Sequence, residues 1–275
     1  MPSGLPTDTL KSDLIDVVFA AGDAIREVQR ARIDVRHKSD ASPVTEADER
    51  AEAIILAALA RLTPDTPVVA EEQVSAGSLP DIADQPFWLV DPLDGTKEFI
   101  RGGVDFTVNV ALIDDGVPVL GLVYAPADGR LFVGSAQGGA AAGRRGEDGT
   151  ATLSPAHTRR ARPGELAIVA SRSHSNPETE TYLANYPGAD CVSIGSSLKF
   201  CLVATGQADL YPRLGPTMEW DTAAGHAVLL AAGGTVTAPG GGPLAYRKPD
   251  FRNGFFLARG DVDFTPAPLP DQAAA

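Results

Sequence analysis

Residues 87–100 read FWLVDPLDGTKEFI, and this stretch constrains the chain more than any other. Phe87-Trp88-Leu89-Val90 is an apolar run of the kind that forms a buried strand. It ends at Asp91, a second carboxylate follows at Asp94, and Gly95-Thr96 comes directly after. A strand that enters from the core and stops at Asp91 holds that carboxylate rigidly. Pro92 has no N–H for the ladder, so the strand is expected to stop there. Gly95-Thr96 can then open a helix whose free N–H groups face the same place. Two hard oxygen ligands beside a helix N-terminus suit Mg²⁺ bridging to a phosphate oxygen. A turn capped by the two aspartates would use the same residues.

Three other places repeat the arrangement. The apolar run VVA at 68–70 ends in Glu71-Glu72, and MEWDTAAG at 218–225 places Asp221 at a helix start. Thr45-x-x-Asp48 has the spacing of a capping box. Each has a structural reading: a solvated edge for Glu71-Glu72 and an N-cap for Asp221. Those readings do not explain four separate carboxylates at the ends of apolar elements, whereas metal-dependent phosphatases need such a set.

The rest of the chain supplies the frame. Helical spacing covers 8–30 (Leu10, Leu14, Val17, Val18, Ala21, Ile25) and 45–62 (Ile54, Ile55, Leu56, Leu59, Leu62). Strand-like runs follow at 87–91, 106–113, 117–126 and 130–136, with Asp115-Gly116 and Asp128-Gly129 as turns. The first half reads as two helices and an antiparallel meander. GGAAAGRRGEDG at 138–149 lacks the ending of a phosphate-binding loop and reads as a surface loop. Residues 154–164 read as a connection between halves. Beyond them strand and helix alternate: a strand at 165–171, a helix at 176–186 with Asn176 as N-cap and Pro177 in its first turn, a strand at CVSI, a helix at SSLKFCLVATG, a strand at ADLYPR, a helix at DTAAGHAVLLAAGG and a last strand at 254–259. APGGGPLAY is a turn between short strands.

The 275 residues are 44% hydrophobic and 21% charged, as in an ordinary globular protein. No stretch has the ~18 apolar residues of a membrane span, and the N-terminus lacks a signal-peptide pattern. The net charge of −13 argues against nucleic-acid binding, which needs a basic field, but not against a small anion held through a cation. Cys191 and Cys201 show no metal spacing and read as free thiols of a reducing compartment, hence the cytoplasm. A peripheral association with the inner face of the membrane stays open, with no anchor in the sequence. Oligomeric state, monomer or homodimer, is not legible.

The three motifs EE (71–72), DPLDGT (91–96) and WDTAAG (220–225), with Glu71 twenty residues before Asp91, resemble the lithium-sensitive, magnesium-dependent phosphatases of the inositol monophosphatase superfamily. KSDASPVTEAD (38–48), DGTKEF, SRSH (171–174), the run 193–213 and GPTMEWDTAAGHA (215–227) are most similar to its 3′(2′),5′-bisphosphate nucleotidases. The resemblance implies an α+β/α/β fold, a layered αβαβα sandwich of the inositol monophosphatase and fructose-1,6-bisphosphatase type. It implies an N-terminal α+β subdomain, 1–155, with most metal ligands, and a C-terminal α/β subdomain, 156–275, with nucleotide contacts and Asp221, together one catalytic unit. Two or three Mg²⁺ are implied: Glu71, Asp91 and the Leu93 carbonyl for one, Asp91, Asp94 and Asp221 for another. Thr96, paired with Asp48, would orient the attacking water, with Glu71 also catalytic.

Ser171, His174, Gly195 and Lys199 would contact the adenosine phosphate moiety, beside the metal-site residues Glu71, Leu93, Asp94, Gly95, Thr96 and Asp221. His174 could instead be a surface loop histidine. Arg213 is a further cation, or a structural Pro-Arg corner, and His226 reads as structural. The implied activity is hydrolysis of the 3′-phosphate of adenosine 3′,5′-bisphosphate, and of its sulfated relative, linked to sulfur assimilation and inhibited by Li⁺. The alternatives are an inositol-phosphate or sugar-phosphate phosphatase with the same metal site, and a non-catalytic nucleotide sensor, which would tend to lose ligands.

Overall fold

A computed structural model of the chain describes residues 8–34, 43–162, 164–171 and 176–270. Helices α1 (Asp8–Asp34) and α2 (Pro43–Leu62) precede β1 (Val68–Ala70), α3 (Glu71–Ser75), β2 (Phe87–Asp94) and α4 (Thr96–Ile100). The meander follows as β3 (Thr107–Asp114), β4 (Val117–Ala125), β5 (Arg130–Ser135), β6 (Gly139–Arg145) and β7 (Ala151–Ala156). Then come β8 (Arg160–Ala161), β9 (Ala167–Ser171), α5 (Pro177–Leu183), β10 (Asp190–Ile194), α6 (Leu198–Ala204) and β11 (Leu210–Arg213). The chain continues through β12 (Thr217–Met218), α7 (Glu219–Ala231), β13 (Thr235–Thr237), β14 (Arg252–Asn253), β15 (Phe256–Arg259) and β16 (Asp261–Val262).

Strands β1 to β7 form one sheet in chain order, parallel between β1 and β2 and antiparallel thereafter. A second sheet runs β10-β9-β11-β15-β13. Side chains alternate across the first sheet, as a pleated strand requires. Trp88 and Val90 face Leu14, Val18, Ile25, Ile55 and Leu59 of α1 and α2. Phe87 and Leu89 face the other way, into a core shared with Phe200 of α6 and Ala224 and Val228 of α7. The apolar run of β2 does not alternate with polar residues because helices cover both faces. On the far side of α6 the second sheet contributes Val169, Tyr211 and Phe256 to the same core. Its outer face, with Ile168, Leu210 and Leu257, is closed by Tyr182 of α5 and by Phe264. The layers are therefore αβαβα, and among the described residues no helix is long and apolar enough to cross a membrane.

Three expectations need correction. Residues 139–145 are strand β6, and only 146–149 turn, closed by the Gly146 N–H donating to the Thr150 carbonyl at 2.8 Å. The small residues of β6 hid it, because pairing with β5 and β7 rather than side-chain burial holds it in the sheet. Of the expected connection 154–164, residues 154–156 instead belong to β7 (Ala151–Ala156) and extend that sheet. Finally, β2 does not stop at Pro92. It continues to Asp94, with Asp91 opposite Asn109 and Asp94 opposite Thr107, so three steps on β2 match two on β3. Pro92 is tolerated inside this bulge, where the ladder is interrupted. In the second half, Asn176 caps α5 by accepting from the Thr179 N–H at 2.9 Å, and β16 follows the strand expected to be last.

Candidate active site

The bulge in β2 explains how two aspartates three residues apart can serve one centre. In a regular strand, residues three apart point to opposite faces. One extra residue reverses that parity, so Asp91 and Asp94 can both serve the α7 side while Leu93 packs with the α1/α2 core. Asp91 is buried, and its Oδ1 accepts from the Leu93 N–H at 3.0 Å. The Leu93 carbonyl accepts from the Thr96 hydroxyl at 3.3 Å. Gly95 lies between them at φ 95°, with a would-be Cβ only 2.8 Å from the Asp105 carbonyl, so a side chain there meets both backbone strain and a clash.

Glu71 reaches the same place through strand register. Ala70 pairs with Val90 in the parallel β1–β2 ladder, so Glu71, leaving the end of β1, comes beside Asp91 within β2. Burial first, then Glu72, Asp94 and Asp48, push the Glu71 carboxyl up to about 7, against a hydrogen bond with Asp91. Asp48, buried on α2, is pushed up to about 7 by burial and by Glu72. Asp91 is held well above the usual carboxylate range by burial and by Glu71, Asp94, Asp221 and Asp48. Among the described residues, the Thr96 hydroxyl bonds to Leu93 rather than to Asp48.

Asp221 is the third residue of α7, which begins at Glu219. Its Oδ2 accepts from the Met218 N–H at 2.8 Å, so it caps the helix and also lines the cleft. Burial and Asp94 raise its carboxyl to about 7. The cleft encloses about 320 Å³ between Asp94-Gly95-Thr96, Gly195-Ser196-Ser197, Lys199, Arg213 and Asp221. The buried Lys199 ammonium donates to the Ser196 carbonyl at 2.7 Å. Burial lowers its pKa to about 8 against the pull of Asp94, so it is charged at neutral pH. Lys199 and Asp94 both line the cleft, and the Lys199 charge opposes the rise that burial imposes on Asp94.

The structure thus brings Glu71, Asp94, Asp221 and Asp48 within electrostatic reach of Asp91, Leu93 into backbone contact with Asp91 and Thr96, and Gly95, Thr96, Gly195 and Lys199 to the cleft. Arg213 lines it too, with its guanidinium donating to the Gly215 and Pro216 carbonyls. His174 and the Ser171 side chain lie outside the described residues. His226 is buried against the Tyr246 hydroxyl at 3.0 Å and pushed down to about 3 by burial, which fits its structural reading. Lys97, Glu98, Ser196, Tyr211, Thr217 and Thr222 also line the cleft without having been singled out. Lys97-Glu98 follow DGT directly in the sequence; the others had no signal of their own.

Every donor in the acidic set is a hard oxygen, and burial plus mutual repulsion disfavours its charged form. A divalent cation reverses both effects, so the residues fit Mg²⁺. Among the described residues no three acidic, histidine or cysteine side chains form a closed ligand group as they lie.

Residues 8–257 match the model of the inositol monophosphatase family. The 3′(2′),5′-bisphosphate nucleotidase CysQ of Escherichia coli K12 is 49% identical over 228 residues, 82% of this chain and 89% of that protein. The crystal structure of CysQ from Bacteroides thetaiotaomicron is 38% identical and superposes with a TM-score of 0.79, covering 93% of this chain and 98% of that one. The inositol monophosphatase of Anabaena (Nostoc) sp. PCC 7120 is 27% identical with a TM-score of 0.70, covering 93% of each chain.

Proposed function

The chain belongs to the inositol monophosphatase family, and we propose that it removes the 3′-phosphate of adenosine 3′,5′-bisphosphate, giving AMP and phosphate, with the sulfated nucleotide as a second substrate. The observation that carries this reading is the clustering of Glu71, Asp91, Asp94 and Asp221, close enough to raise one another's carboxyls, beside a cleft lined by Asp94, Asp221, Lys199 and Arg213. The identity to relatives named as bisphosphate nucleotidases supports the substrate. Glu71, Asp91 and the Leu93 carbonyl would hold one Mg²⁺, and Asp91, Asp94 and Asp221 another. Bound Mg²⁺ would supply Lewis acidity toward the phosphoryl oxygens and the attacking water.

The chain's own groups do the rest. Lys199 and Arg213 hold the anionic nucleotide and offset charge that the carboxylates alone would repel. Thr96 orients the water by exchanging its bond to Leu93. Asp48, with its carboxyl raised to about 7, can take a proton near neutral pH. No covalent phosphoenzyme is needed, because such transfer depends chiefly on positioning and charge neutralisation. Ser171 and His174 would complete the nucleotide contacts. The setting would be sulfur assimilation, in the cytoplasm.

Phosphate release from adenosine 3′,5′-bisphosphate and from inositol 1-phosphate, each with Mg²⁺ and then with added Li⁺, tests the reading. Preference for the nucleotide, inhibition by Li⁺ and loss of turnover in Asp94→Asn are expected. A wide preference for inositol phosphate would overturn the nucleotidase assignment, and wild-type turnover in Asp94→Asn would overturn the metal chemistry.

A further inference from the structure

We propose that Asn109 and Ser197 act as positioning residues, a buried hydrogen-bonded brace that sets Asp221 of α7 against Asp94 of β2. The inference rests on the metal-site reading above and concerns how the acidic set is held in place before any ligand arrives.

Both residues are buried, Asn109 at 1% and Ser197 at 2% exposure, on separate elements. Asn109 stands on β3 directly opposite Asp91. Its Nδ2 donates to the Ser197 hydroxyl oxygen at 3.1 Å. The Ser197 hydroxyl donates in turn to the backbone carbonyl of Asp221 at 2.6 Å. A hydroxyl has one proton, so a donor arriving from Asn109 leaves that proton for an acceptor on the other side. The order of the relay is therefore fixed: the β3 amide orients the α6-start hydroxyl, which pins the first turn of α7. The same serine turns its N–H toward Asp94, while its one hydroxyl proton goes to the Asp221 carbonyl. One residue thus touches two proposed ligands from two elements, and the sheet behind it sets its orientation. Asn109 Oδ1 has no protein partner among the described residues, so the Nδ2 bond to Ser197 is the side-chain bond that orients the amide.

Groups that orient metal ligands from behind typically change affinity by 10–100-fold when removed. The experiment is Mn²⁺ titration of the substrate-free protein, read by the paramagnetic signal of the free ion, on wild type, Ser197→Ala, Asn109→Ala, the double variant and Ser197→Thr. Thermal midpoints are recorded in chelator for each. The half-saturating Mn²⁺ concentration is expected to rise roughly 10-fold or more in Ser197→Ala and Asn109→Ala. The double variant should be no worse than Ser197→Ala, since the two groups act in series. Ser197→Thr, which keeps the hydroxyl, should return toward the wild-type value. A merely structural role would lower the folded fraction and leave half-saturation in place. Folded variants with unshifted half-saturation would overturn the brace while leaving the metal site standing. A wild type that binds no Mn²⁺ would overturn the site itself, and the brace with it. Should Ser197→Ala not fold, Asn109→Ala carries the same test.

Discussion

Lys199 shows how much one side chain in this cleft has to do. Its ammonium is buried, bonded to a backbone carbonyl and set against Asp94. Replacing it with the similarly shaped Met removes the charge and keeps the volume. Hydrogen bonds to charged groups are worth about 1.5–3 kcal/mol, so KM for the bisphosphate should rise roughly 10–100-fold in Lys199→Met. Steady-state kinetics check this, and an unchanged KM would remove Lys199 from the nucleotide contacts. At this scale much was legible in the sequence: Glu71, Asp91, Asp94 and Asp221 stand out because each interrupts an apolar element. Ser197 and Asn109 were not legible as a pair. Their link spans 88 residues of chain, and neither residue type is unusual where it stands.

Helix α7 is the element that delivers Asp221, and it lies unusually close to the first sheet. A Cβ on Gly121 would come within 2.3 Å of the Ala224 carbonyl, and one on Gly134 within 2.4 Å of the Val228 Cα. The contacts are backbone, so they cannot give way by a rotamer change. Gly121→Ala should therefore destabilise by about 1–3 kcal/mol through overpacking. It should also lower kcat, because moving α7 moves Asp221. Chemical denaturation and turnover measured together check this; a destabilised variant with full kcat would uncouple the helix position from the chemistry. Helices α1, α2 and α7 and the strands β2 to β5 were readable from periodicity because their faces are strongly apolar. The strand β6 was not, since its pattern of small residues carries neither period. Nor was the bulge at Pro92, because sequence shows that a ladder is interrupted but not that the strand resumes beyond it.

For the molecule as a whole, the acidic set is a load on the fold. Asp48, Glu71 and Asp221 have carboxyls raised to about 7. In the unfolded chain they titrate near 4, so between about pH 4 and 7 the folded state binds more protons than the unfolded one. Stability in chelator must then fall as pH rises through that window. Buried His226, pushed down to about 3, opposes this with one proton against three, and Lys199, with its pKa lowered to about 8, acts only above the window. Thermal midpoints in EDTA should drop from pH 5 to pH 8, and Mg²⁺ should restore the loss at pH 8 by binding the folded state. A midpoint that ignores both pH and Mg²⁺ would mean that the carboxylates do not form one charged centre. The five-layer order was available only by resemblance. Which sheet packs on which helix depends on long-range pairings that local sequence does not encode, such as α7 of the second half resting on the strands of the first.

The most direct measurement is a crystal grown with Mn²⁺ and AMP, with the ions located by anomalous scattering. The account predicts ion peaks held by Glu71, Asp91 and the Leu93 carbonyl, and by Asp91, Asp94 and Asp221. Peaks elsewhere, or those carboxylates turned to different partners with ions present, would contradict it.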